Sequence, residues 1–199
     1  MTPSHWLLIL FWALYGFMHS WLASIKVKNQ AQKLLKSGYK YYRLAYNLLA
    51  SIGLVGLLVW GALMDDPRIW TQSTILTFLS LMFATYGVIV IRLSFKQFSI
   101  GEFLGFSVLN ENKRQPVLRK QGLLHFVRHP IYSGTLLITI GFVLYAPSLT
   151  NFIHAACIAV YILIGVKYEE LKLVEEFGEA YMEYKKKVPM LIPKIPWWK

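Results

Sequence analysis

The sequence predicts an all-α integral membrane protein: five transmembrane helices, a short helical hairpin in the C-terminal half and a cytoplasmic amphipathic C-terminal helix. Three observations predict it. Of the 199 residues, 56% are hydrophobic and only 16% charged, against roughly 25% charged in a soluble domain. The mean hydropathy of +0.44 reflects more apolar surface than a soluble body this size can hide. The net charge of +11 sits in blocks between long apolar runs. That is the pattern of membrane topology and not of a nucleic-acid-binding patch, so no nucleic-acid partner is expected.

The apolar runs are Trp6 to Ala23, Leu44 to Met64, Ser73 to Ile91, Ile131 to Tyr145 and Asn151 to Val166. The first three have the length of a spanning helix, about 18 residues or more. The last two are shorter, and polar flanks or local thinning must complete the crossing. A Pro147-Ser148 corner joins them as a hairpin, because Pro cannot continue a helix. The first run lacks a basic n-region and is read as a retained span, not a cleaved leader.

Charge orients the spans. Twenty of the 21 lysines and arginines fall on one side: Lys26 to Arg43, Arg92 to Arg128, and Lys167 onward. Only Arg68 lies opposite, beside Asp65 and Asp66. The N-terminus is therefore expected outside and the C-terminus in the cytoplasm, in a bacterial or archaeal inner membrane. The chain reads as one domain, residues 1–199, with three spans in 1–95 and a basic loop, the hairpin and the last helix in 96–199. Between Lys96 and Arg128 an interfacial helix is expected, broken near Asn110–Pro116. A helix from Tyr168 to Lys187 carries its acids early and its lysines late, as the helix dipole favours. Gly178 is its weak point.

Several chemistries are excluded. One cysteine, Cys157, rules out a disulfide framework and a Cys-based metal site. The five histidines have no metal-ligand spacing, so no metal is expected. There is no dinucleotide fingerprint, P-loop or nucleophile elbow.

The strongest motif is Arg128-His129-Pro130-Ile131-Tyr132-Ser133-Gly134, where a basic loop enters the fourth span. Pro130 suits a helix start. Arg128, His129 and the first backbone N–H groups would make a site for a carboxylate or other anion. Tyr132 adds an aromatic face and a hydroxyl. Gly134 permits close approach of a ligand or a helix. At the other end of the hairpin, Glu169-Glu170 leave the fifth span on the same membrane face. Adjacent helical residues differ by about 100°, so one glutamate faces the site, suited to an ammonium group. The other pairs with Arg128 or Lys167. Further polar groups at membrane depth are His19-Ser20 and Arg43 with Asn47, which have functional and packing readings side by side. His154 and Cys157 on the fifth span read as packing.

Taken in order, this motif, Glu169-Glu170, Phe177 to Tyr184 and Val188 to Pro193 resemble the C-terminal signature of the isoprenylcysteine carboxyl methyltransferase and phospholipid methyltransferase superfamily. His19-Ser20, Tyr42 to Asn47 and Glu102 to Gly105 resemble its bacterial methanethiol S-methyltransferase and NnrU-like branch. The resemblance implies S-adenosylmethionine as methyl donor and S-adenosylhomocysteine as product. It implies cofactor contacts at Gln121, Gly122, Leu123 and Leu124 (mostly backbone), His129, Tyr132, and Glu169 or Glu170. Methyl transfer needs alignment of nucleophile and methyl and exclusion of water, not a triad. Arg128, Arg43 and His19 are the candidates for orienting an anionic nucleophile. The acceptor is expected to be a small or lipophilic thiol or a prenylcysteine-type carboxylate, reaching the site from the lipids. A phospholipid amine, a non-catalytic accessory protein and a sterol-reductase-like enzyme are the alternatives. Oligomeric state is not readable.

Overall fold

The computed structural model describes residues 1–96 and 117–194. Among the described residues the regular structure is helical, and the chain divides into two compact units. The expected interfacial helix, its break at Asn110–Pro116, and Glu102 to Gly105 lie in 97–116, outside the described residues.

The first unit contains α1 (Pro3–Ala23), α2 (Ile25–Leu35) and, after a 3-10 turn at Lys36–Tyr41, α3 (Tyr42–Ala62). α1 starts at Pro3, with the Thr2 hydroxyl 2.8 Å from His5 Nδ1. Leu8 and Trp12 are buried on α1, and Leu57 and Gly61 on α3. Phe11 meets Trp60 edge-on with ring centres 5.2 Å apart. Polar ties hold the two helices in register. Tyr15 donates to the Ala50 carbonyl at 3.1 Å, and Tyr42 to the Leu22 carbonyl at 2.7 Å. Beyond α3, the Asp66 carboxylate lies 3.5 Å from the buried His5 imidazole.

The second unit contains α4 (Thr74–Ser94), a 3-10 turn at Gly122–His125, α5 (Pro130–Tyr145), α6 (Leu149–Phe177) and α7 (Glu179–Lys187). Glycines set the contact between α4 and α5. A Cβ on Gly87 would lie 2.6 Å from the Gly134 carbonyl, and one on Gly141 2.6 Å from the Ser80 carbonyl. Backbones this close are how apolar helices associate where lipid removes the hydrophobic drive. Gly134 thus serves a neighbouring helix. The third span accordingly packs within the second compact unit. Hydroxyls in these helices are satisfied along their own turns: Ser80 by Thr77, Ser94 by Val90, Thr139 by Thr135.

The expected hairpin is present. α5 ends at Tyr145, and the Ser148 hydroxyl caps α6 by accepting from the Asn151 N–H at 3.3 Å. The Ile69 N–H donates to Pro147 at 2.7 Å, tying the segment before α4 to this corner. Four helical stretches are long and apolar enough to cross a membrane: Pro3–Ala23, Ile25–Ala62, Thr74–Ser94 and Leu149–Phe177. α5, with 16 residues, is a shorter apolar helix. The last helix differs from expectation. α6 continues unbroken past the apolar stretch to Phe177. The chain then turns at Gly178, whose φ of +54° favours glycine, and α7 begins anew.

Candidate functional site

α5 begins at Pro130 with His129 as its N-cap. Across from it, the apolar part of α6 has ended by Val166, and Glu169 and Glu170 project from the charged continuation. The predicted convergence is present, and the two glutamates part company.

Glu170 is the buried one. Its Oε1 accepts from Arg128 Nε at 2.7 Å and lies 2.6 Å from Arg128 Nη2. Lys185 Nζ sits 2.7 Å from Oε2, and His129 Nε2 lies 3.3 Å from Oε1. Burial alone would raise the Glu170 pKa. Hydrogen bonds from Lys185, Arg128 and His129, with the Arg128 charge, overcome that and hold the carboxyl below its ordinary range. Arg128 is equally committed. Its Nη1 donates to the Lys185 carbonyl at 3.2 Å and to the Val188 carbonyl. The planar guanidinium fork can serve a carboxylate and two carbonyls at once; a lysine cannot.

Glu169 keeps 45% of its side chain exposed. The Tyr132 hydroxyl donates to its Oε2 at 3.0 Å, and His129 Nδ1 lies 3.8 Å away. The His129 and Tyr132 rings stack at 5.8 Å with 29° between planes. His129, 5% exposed, therefore stands between the two glutamates. The result is an accessible carboxylate beside the half-buried Tyr132 ring, backed by a closed ionic cluster.

The segment after α7 forms a strap. The backbone N–H groups of Arg128 and His129 donate to the Pro189 and Met190 carbonyls at 2.9 and 3.1 Å. The Ser133 hydroxyl donates to Leu191 at 2.6 Å. The strap thus takes the two N–H groups that immediately precede the start of α5. Beneath the strap, Tyr181, Tyr184 and Val188 form a buried cluster with Leu118, Leu173, Val174 and Phe177 packed on it. Burial pushes the Tyr184 hydroxyl up to about 12, with the Arg128 charge opposing. Burial and then the Glu170 charge raise Tyr181.

Gln121 to Leu124 enter the 3-10 turn, with Gly122 at φ +60°. The Leu124 carbonyl accepts from Tyr184 at 2.5 Å, and the Leu123 carbonyl from Phe126 and Val127. Gln121 and Gly122 are exposed. Tyr184 thus ties this turn to α7, whose next residue, Lys185, grips Glu170. In the first unit, the Tyr46 hydroxyl and His19 Nε2 are 2.7 Å apart, and the rings of Tyr15 and Tyr46 lie 5.8 and 4.9 Å from His19. Arg43 is exposed in the first turn of α3.

The roles of Lys185 and the strap carbonyls, and the tie from Ser133 to the strap, escaped the sequence reading. Only the Lys185-Lys186-Lys187 run, opposite the acids of the preceding helix, hinted at the first. Among the described residues no cluster of three or more His, Cys, Asp or Glu side chains is arranged to hold a metal ion.

The chain is similar to known proteins over most of its length. A Methanethiol S-methyltransferase 2 of Bradyrhizobium diazoefficiens is 29% identical, covering 94% of this chain and 72% of that protein. A Methanethiol S-methyltransferase of Pseudomonas deceptionensis is 30% identical with the same coverage of each. A Protein-S-isoprenylcysteine O-methyltransferase of Xenopus laevis is 27% identical over 77% of this chain, which spans about half of that relative. The model of the NnrU protein family matches residues 7–193. The chain belongs to the NnrU family.

Proposed function

We propose that this protein is an integral-membrane methyltransferase that uses S-adenosylmethionine to methylate a thiol or a prenylcysteine-type carboxylate. The relatives are named for those two acceptor classes. The observation that carries the reading is the split between the two glutamates: Glu170 is neutralised inside an ionic cluster, while Glu169 stands accessible beside Tyr132 and His129.

The donor set fits the cofactor. Glu169 offers a carboxylate to its ammonium group, and the half-buried Tyr132 ring, stacked on the buried His129, offers a face that suits a sulfonium or an adenine. Tyr132 fixes the Glu169 carboxylate by hydrogen bonding. Gln121 and Gly122 supply the exposed backbone of the neighbouring turn. Arg128 and Lys185 position the site by neutralising Glu170, which in turn faces His129 and fixes its ring. When bound, S-adenosylmethionine supplies a methyl group already activated on a sulfonium. The chain's residues then have to hold, align and keep dry rather than to generate a strong nucleophile. His19, beside Tyr46, and Arg43 are proposed to orient the acceptor.

The topology belongs to the same proposal. In it α5 serves as a fifth span, and the distribution of basic segments supports a cytoplasmic C-terminus in a bacterial or archaeal inner membrane. The test is a labelled-methyl transfer assay on membranes holding the protein, with small thiols, a prenylcysteine and phospholipid amines as acceptors. Label on the thiol or the prenylcysteine is expected. Label on the lipid amine alone overturns the acceptor class, and label on none overturns catalysis.

A further inference from the structure

The segment joining α1 to α3 carries chemistry that methyl transfer leaves unused. No Asp or Glu occurs before Asp65, yet Lys26, Lys28, Lys33, Lys36 and Lys40 fall between the two helices. α2 sorts these residues by face. At about 100° per residue, Val27, Ala31, Leu34 and Leu35 share one side, and Lys26, Asn29 and Lys33 the other. The apolar side is not spent on packing: Leu34 is 82% exposed and Leu35 48%. The Ser24 hydroxyl starts the helix by accepting from the Val27 N–H. The following turn is aromatic. The Tyr39 and Tyr42 rings stack at 5.6 Å, and Lys40 Nζ lies 5.0 Å from the centre of the exposed Tyr41 ring.

We propose that α2 and the turn after it form a binding surface for acidic phospholipid headgroups. The leucine side enters the interface and the lysines meet the phosphates. Three features commit the surface to lipid. The helix lies between the apolar helices α1 and α3, each 21 residues long. An exposed apolar face whose only charged neighbours on the helix are cations is the pattern of an interfacial helix. Tyrosines at its end match the aromatic belt of a membrane boundary. The charge is complementary to acidic lipid and has no acid nearby in sequence to answer it. The inference is independent of the methyl-transfer reading, and its test needs no enzyme activity.

The full chain is prepared in a Cys157→Ser background with a bimane label at Leu34→Cys or Asn29→Cys. It is placed in phosphatidylcholine vesicles carrying headgroup-nitroxide phosphatidylcholine or headgroup-nitroxide phosphatidylglycerol. Quenching at position 34 is expected to exceed that at 29, and the phosphatidylglycerol quencher to act more strongly. Each lysine near an acidic surface is worth about fivefold in partition. Replacing Lys26, Lys28, Lys33 and Lys36 together by Gln should therefore lower the preference for the acidic lipid by at least ~10-fold. Raised salt should lower it too. Equal quenching by the two lipids, or a position 34 reached by aqueous iodide and not by lipid, overturns the proposal. A helix covered by another protein would give the latter result.

Discussion

Arg128 Nη2 stands 2.6 Å from Glu170 Oε1, with both side chains less than a tenth exposed. This pair closes the loop before α5 onto the end of α6. Through Nη1 it also holds the strap that follows α7. Arg128 was a candidate for orienting the nucleophile; its nitrogens are instead committed to the chain itself.

Breaking that pair strands a buried charge. Arg128→Ala and Glu170→Ala should each cost about 3–5 kcal/mol. Arg128→Lys should keep the charge but lose the strap carbonyls. Thermal unfolding in detergent measures the first effect. Limited proteolysis, with new cutting between Gly178 and Leu191, reads the second.

The same pair makes stability depend on acid. The Glu170 carboxyl is held below its ordinary range in the folded chain. Its contribution is therefore fully present above the unfolded value of about 4.3 and is lost as pH falls through the lower folded value. Melting temperature followed downward from pH 7 should show this loss. Glu170→Gln should start lower and flatten that part of the profile.

The glycine contact between α4 and α5 predicts a steric penalty. Gly87→Ala and Gly141→Ala place a methyl within 2.6 Å of a backbone oxygen. Each should cost about 1–3 kcal/mol of overpacking. Gly56→Ala, where a Cβ meets nothing within 4 Å, should change the melting temperature little. Parallel melts of the three variants check the contrast.

The site itself was legible where its residues are contiguous. Arg128 to Gly134 and Glu169-Glu170 announce a helix entrance and a helix exit, and the Pro147 corner obliges them to meet. Which glutamate faces inward was not legible. That is settled by Lys185, reaching back after the turn at Gly178, and by carbonyls of the strap. A carbonyl has no residue type, so sequence pattern is blind to it. The pairing of Gly87 with Gly134 was hidden for a related reason: small residues are common in membrane helices, and only backbone geometry distinguishes a contact from a coincidence.

The two glutamates should separate in function. Tyr132→Phe removes one hydrogen bond to Glu169, worth about 1 kcal/mol, and should weaken cofactor affinity by roughly fivefold. It should leave melting temperature within experimental scatter, because Glu169 is half exposed. Paired binding and melting curves check it.

The most direct test of the central claim is calorimetric titration of purified protein with S-adenosylhomocysteine, comparing the unaltered chain with Glu169→Gln. The account predicts saturable binding by the unaltered chain and at least ~10-fold weaker binding by the variant, a loss expected when a charge-assisted contact is removed, with both melting alike. Equal affinity in the two proteins, or no binding by the unaltered one, would contradict it.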